Sequence, residues 1–183
     1  MELKIRKLKE KDAPLMLEWM HDPDVVVGLR KDFSSFTIDH CLNFIANAKS
    51  DETAMHRAVV NEEDEYLGTV SVRDIDRQLG CGEFAITVRR KAMGTGAAIF
   101  GMRKILCEAL NELGLKKVYW CVSSNNPRAV RFYRKNGFIE VKEESVPDYL
   151  TKGYGNENDL LWFCYEQKRN GSEEENLFCG RKD

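Results

Sequence analysis

A strand-like stretch, F-A-I-T-V (Phe84 to Val88), leads through two arginines into K-A-M-G-T-G-A-A (Lys91 to Ala98), which opens a long amphipathic helix. A strand ending in small residues at a helix N-terminus gathers several unpaired backbone N–H groups at one point. The helix dipole adds positive potential there, so the turn suits a phosphate or pyrophosphate. Gly94, Gly96, Ala97 and Ala98 lack bulk, which lets an anion approach the main chain closely. The helix runs to about Leu113, with Gly114 at its C′ position, and the β-rich K-V-Y-W-C-V (Lys117 to Val122) follows. Strand, helix and strand in that order predict a parallel crossover.

Around this unit the chain reads β α α β β β α β α β β. Leu3, Ile5 and Leu8 alternate with charged residues as an opening strand. Asp12 as N-cap and Pro14 in the first turn start a helix with Leu15/Trp19 and Met16/Met20 on one face, ended by Asp22-Pro23. Thr37 caps a second helix carrying Ile38, Cys41, Leu42 and Ile45 at helical spacing. The irregular stretch between them, Asp24 to Phe36, should arch over something. Strands near Met55 to Asn61 and Tyr66 to Ile75 flank the acidic turn E-E-D-E, and Gly80-Cys81-Gly82 precedes the next strand. Asn126 as N-cap and Pro127 at N1 open a short helix that Gly137 closes. Strands at Phe138 to Glu144 and Leu160 to Glu166 flank the Gly/Asn-rich loop Val146 to Asn158. The expectation is an α/β (α+β mixed) domain over 1–168, a twisted mixed sheet of about seven strands with helices on both faces. Residues 169–183 lack periodicity and read as a polar, mobile tail.

Net charge is −2 with both signs interspersed, so no basic field argues for nucleic acid or a membrane surface. No apolar run approaches a membrane span, and M-E-L-K-I-R-K-L lacks the apolar core of a signal peptide. The six cysteines (41, 81, 107, 121, 164, 179) show no metal-like clustering and mostly sit among apolar residues. They read as reduced core thiols in a cytoplasmic protein without a metal. His21, His40 and His56 read as structural or solvated.

A second motif, N-N-P-R-A-V-R-F-Y-R-K-N-G-F (Asn125 to Phe138), lies one βα unit after the glycine turn. Together the two resemble the GNAT superfamily of N-acetyltransferases. Its pyrophosphate turn reads Gln/Arg-x-x-Gly-x-Gly/Ala, here Lys91, Gly94 and Gly96. Its later motif, Asn-x-x-Ala-x-x-x-Tyr-x-x-x-Gly-Phe, is complete here as Asn126, Ala129, Tyr133, Gly137 and Phe138. The opening I-R-K-L-K-E-K-D-A-P-L-M-L-E-W-M-H-D-P-D-V looks like the ribosomal-protein alanine acetyltransferase branch. Resemblance covers roughly Leu3 to Gln167, with departures at Lys91 and Ala92-Met93.

The resemblance implies an acetyl-CoA-dependent N-acetyltransferase acting on a primary amine by direct attack. Met93, Gly94, Thr95, Gly96, Ala97 and Ala98 would cradle the pyrophosphate. If the flanking strands splay, main-chain groups of Thr87, Val88 and Arg89 would pair with the pantetheine arm, and a backbone N–H near Val88 would hold the thioester carbonyl. Asn126 and Ala129 would touch the cofactor, although Asn126 also reads simply as a helix cap. Tyr133 would give the leaving thiolate its proton, an unperturbed phenol having a pKa of about 10. Its alternative is a tyrosine packed on the sheet. Glu83 could direct a water that takes the amine's proton, or stand as a surface glutamate at a strand start; Ser123 and Ser124 could hold that water instead. Arg128 and Arg131 would either reach the cofactor's 3′-phosphate or stand as solvated helix charges. The acceptor stays open between a protein N-terminus and a small amine, with its pocket drawn from 22–36 and 146–158. The exposed edge near the last strand would allow a homodimer. The rival reading is a non-catalytic acyl-CoA-binding or interaction module, motivated by Lys91, Ala92 and Met93.

Overall fold

The computed structural model describes residues 2–155 and 159–166. The expected tail lies outside the described residues, as do positions 156–158 of the preceding loop. Seven strands make one sheet: β1 (Lys4–Arg6), β2 (Met55–Val60), β3 (Tyr66–Asp76), β4 (Cys81–Val88), β5 (Lys117–Ser123), β6 (Ile139–Val141) and β7 (Leu160–Glu166). They lie in the order β1-β2-β3-β4-β5-β7-β6. Neighbours are antiparallel except β4 and β5, the pair joined by the crossover helix α4 (Ala97–Asn111).

Alternation along each strand sorts side chains onto two faces. On one, Val59, Val70, Phe84, Val118, Trp120 and Phe163 pack with α4 and with α5 (Pro127–Lys135). Trp120 is the hub of that face, lying parallel to Phe163 at 5.9 Å and edge-on to Phe84 and Phe138. Gly101 seats α4 closely, since a Cβ there would come within 2.4 Å of the Val59 side chain. On the other face, α1 (Ala13–Met20) and α3 (Ile38–Asn47) cover Ala58, Val60 and Tyr66, and the short α6 (Asp148–Thr151) places Leu150 with Tyr119, Trp162 and Cys164. Between α1 and α3 a one-turn helix, α2 (Pro23–Val26), begins the connecting segment.

Four details differ from expectation. Asp12 stands before α1 without capping it: its carboxylate instead takes Arg6 at 2.8 Å and the Lys9 N–H at 2.8 Å, closing the preceding turn. The predicted strand from Phe138 to Glu144 shortens to Ile139–Val141 because a 3-10 turn begins at Glu143. The last strand is not an edge: β7, apolar on both faces, runs between β5 and β6, leaving β1 and β6 outermost. Cys41, Cys81, Cys121 and Cys164 are free thiols, but Cys107 is disulfide-bonded.

Candidate active site

β4 and β5 pair only where Cys81–Glu83 faces Lys117–Tyr119. Beyond Glu83 the two strands part, and β4 continues along β3 alone as far as Val88. Arg89 donates its N–H to the Leu67 carbonyl at 2.8 Å. In an antiparallel ladder the direction alternates, so Thr87 also turns its main chain toward β3. Ile86 and Val88 therefore aim theirs into the gap. This corrects the assignment of Thr87 and Arg89: the open ladder belongs to the even-numbered residues.

The gap leads to the glycine turn. A 3-10 turn (Arg90–Ala92) is followed by Gly94 at φ 78° and Gly96 at φ 90°, after which α4 begins. Met93 N–H bonds the Arg90 carbonyl at 3.1 Å, and Thr95 Oγ1 donates to the Ala92 carbonyl at 2.8 Å while lying 3.4 Å from Ala97 N–H. The N–H groups of Gly94, Gly96 and Ala98 have no partner among the described residues. A Cβ on either glycine would meet nothing within 4 Å, so the turn opens outward. Open amides at a helix start fit an anionic phosphate group lying on the main chain.

The cations beside this turn are already engaged. Arg89 is 5% exposed, with its guanidinium on Glu18 (2.8 and 3.0 Å), Glu65 (2.8 Å) and the Tyr66 carbonyl (3.0 Å). It ties α1 to the sheet. Lys91 sits on the same Glu65 at 2.6 Å, and Arg90 pairs with Asp24. Arg128 reaches across to the Asp24 carbonyl (3.4 Å) and the Met93 sulfur (3.3 Å).

Asn126 caps α5 by accepting the Ala129 N–H at 3.1 Å, and Gly28 packs against its amide so closely that a Cβ would come within 2.6 Å. The 22–36 segment thus crosses the gap from Arg90 to Asn126. Seven residues beyond Asn126, Tyr133 is buried between Phe132, Trp120, Phe138 and Phe163 on the α5 side of the sheet. Its hydroxyl bonds no other described residue. Burial holds its pKa above the ordinary 10, so the proton stays on at neutral pH.

Glu83 sits where β4 and β5 diverge, on the opposite face and only 5% exposed. Arg73, its cross-strand neighbour on β3, donates Nη2 to Oε1 at 3.0 Å. Tyr154, arriving from the loop after α6, donates its hydroxyl to the same oxygen. Cys121, on this face of β5, is pushed up to about 12 by burial and is a neutral thiol. Ser123 donates its hydroxyl to Asp159, which also takes Asn125 Nδ2 at 3.1 Å, and accepts the Asn125 N–H at 3.1 Å. The histidines are structural: His40 Nδ1 accepts the Thr37 N–H at 3.1 Å, His21 meets the Phe36 carbonyl, and His56 meets Ser71. Sequence reading singled out Tyr133 and Glu83 as candidates but missed Tyr154 as a partner of Glu83, since only contact across 71 residues joins them.

A parted parallel strand pair, a turn with open amides at its end, and a phenol and a carboxyl group on opposite faces are the features that the fold brings together here. The family model described as "Acetyltransferase (GNAT) domain" matches residues 2–139, and the chain belongs to that family, an N-acetyltransferase. Spermidine N(1)-acetyltransferase of Vibrio cholerae serotype O1 is 26% identical over 133 residues, covering 72% of this chain and 76% of that protein. The Escherichia coli K12 protein of the same name is 29% identical over 97 residues, and the match spans about half its length (52%) and 53% of this chain. The crystal structure of spermidine N-acetyltransferase from Vibrio cholerae in complex with CoA and spermine superposes with TM-score 0.73 at 21% identity, covering 90% of this chain and 95% of that one. These relatives are not ribosomal-protein alanine acetyltransferases. Met16 and Trp19 of the opening stretch are core residues, so that stretch reports packing rather than acceptor. Among the described residues no helix is long and apolar enough to cross a membrane, and no three side chains group as metal ligands.

Proposed function

We propose that this N-acetyltransferase moves the acetyl group of acetyl-CoA directly onto a primary amine, Tyr133 giving a proton to the sulfur and Glu83 taking one from the amine. The observation that carries this reading is the gap between β4 and β5, with Tyr133 and Glu83 on its two faces. Acetyl-CoA supplies the activated acyl group. Ile86 and Val88 would pair with its amides, the Val88 N–H would hold the carbonyl oxygen, and the turn from Met93 to Ala98 would hold the pyrophosphate. Asn126 and Ala129, joined by the α5 cap, would border the arm. Glu83 takes the amine's proton directly or through one water. The acceptor we infer is a small amine, with polyamines first because the similar curated proteins bear spermidine in their names.

Calorimetric titration with acetyl-CoA, with ATP and NAD as controls, tests the site. Micromolar affinity, about −8 kcal/mol, is expected for acetyl-CoA alone. A panel of spermidine, spermine and an Ala-initiated peptide, read by release of the CoA thiol, then tests transfer. Binding with no amine consumed would turn the chain into a non-catalytic acyl-CoA-binding module. No binding at millimolar acetyl-CoA would end the reading.

A further inference from the structure

We infer that Tyr154 is a positioning residue for the transfer step, holding the Glu83 carboxylate so that its second oxygen, Oε2, is presented to the attacking amine. This rests on the base role proposed for Glu83. Arg73 Nη2 and the Tyr154 hydroxyl both bond Oε1, and Arg73 Nη2 lies 3.3 Å from the Tyr154 oxygen, closing a triangle on one atom. Oε2 bonds no other described residue.

A glutamate's terminal torsion is broad and nearly two-fold, so an unrestrained carboxylate swaps its oxygens and swings. Arg73 alone is a weak restraint, because its side chain is 47% exposed. Tyr154 is a firmer one. The Arg30 guanidinium covers its ring at 4.3 Å, and Trp162, 2% exposed, meets it edge-on at 5.3 Å. Burial and the Glu83 charge both raise the phenol's pKa, so it remains a donor throughout the working pH range. Arg30 belongs to the 22–36 segment and Tyr154 to the segment after α6, so the two acceptor-side segments meet on the group that orients the base.

In the step so arranged, the amine nitrogen bonds the acetyl carbon as the carbon–sulfur bond breaks. Oε2 receives the amine's proton and the sulfur receives Tyr133's. Return of the Glu83 proton to Tyr133 through solvent completes the cycle. Displacing a reacting group by about 1 Å costs on the order of 100-fold, so loosening Glu83 should lower kcat more than it raises KM.

The test is a double-mutant cycle on kcat with Y154F, E83Q and Y154F/E83Q, at saturating acetyl-CoA and with the best acceptor of the panel. Phenylalanine keeps the ring contacts with Trp162 and Arg30, and unchanged melting temperatures check the fold. The expected result is about a tenfold fall in kcat for Y154F with the amine KM within about threefold, shrinking to less than about twofold in the E83Q background. Equal losses in both backgrounds, or wild-type kcat in Y154F, would overturn the proposal. Wild-type kcat in E83Q would also overturn it while leaving acetyl transfer intact. Absence of any turnover by the wild-type protein would remove both readings together.

Discussion

Tyr133 and Arg89 show how two side chains beside the same cleft part company. Tyr133 sits in an aromatic cage with a hydroxyl that bonds no other described residue, and Arg89 is spent on Glu18 and Glu65. Y133F should lower kcat by roughly 100-fold or more while acetyl-CoA affinity by calorimetry stays within about twofold. R89Q should behave the other way. It takes the guanidinium from Glu18 and leaves Glu65 with Lys91 alone, and because both carboxylates are partly solvated the loss is about 1–3 kcal/mol. In thermal melts that is a fall of about 3–10 °C, with acetyl-CoA affinity unchanged. Tyr133 was legible because it belongs to a contiguous motif. The main chain of Arg89 was not, because its N–H goes to Leu67 on β3, a pairing set by strand register rather than by neighbouring residues.

The crossover unit works through two kinds of glycine. Gly96 holds φ 90° and faces open space, whereas Gly101 is pressed against β2. G96V should weaken acetyl-CoA binding about tenfold, since the branched side chain strains a left-handed residue and projects into the cradle. G101A should leave the cradle alone and destabilise the fold by about 1–3 kcal/mol, because the added methyl must displace Val59. Chemical denaturation and calorimetric titration separate the two effects. Both ends of α4 and α5 were readable from local chemistry: Gly114 and Gly137 have positive φ, and Asn126 bonds the Ala129 N–H. The length of β6 was not, because apolar content alone does not say where a strand loses its partner.

Across the whole domain, the half-buried His56 makes stability depend on pH. It lies between Phe44 and Ser71, and burial lowers its pKa below the ordinary 6.5, with Arg73 and Arg57 acting in the same sense against Asp51. The unfolded chain therefore takes up this proton first as pH falls. The stability associated with neutral His56 is complete above about 6.5 and is lost progressively below it. Asp51 and Glu65, whose pKa values are lowered by their hydrogen bonds, extend the loss only at still lower pH. Melting temperature should fall between pH 7.5 and 5.5, and H56Q should flatten that part of the curve.

Local chain chemistry settled the order of the strands and longer helices, the Asn126 cap of α5, the mixed seven-stranded sheet and the turn at Gly94 and Gly96. Each depends on residues within a few positions of one another, where periodicity, φ preference and capping act directly. The tertiary fold decided the rest. It determined how soon β4 and β5 part, and hence that Ile86 and Val88 carry the open ladder. It buried Arg89 and brought Tyr154 onto Glu83. Those outcomes turn on pairings between distant segments, and a charged or hydroxylated side chain will accept whichever partner folding places within about 3 Å.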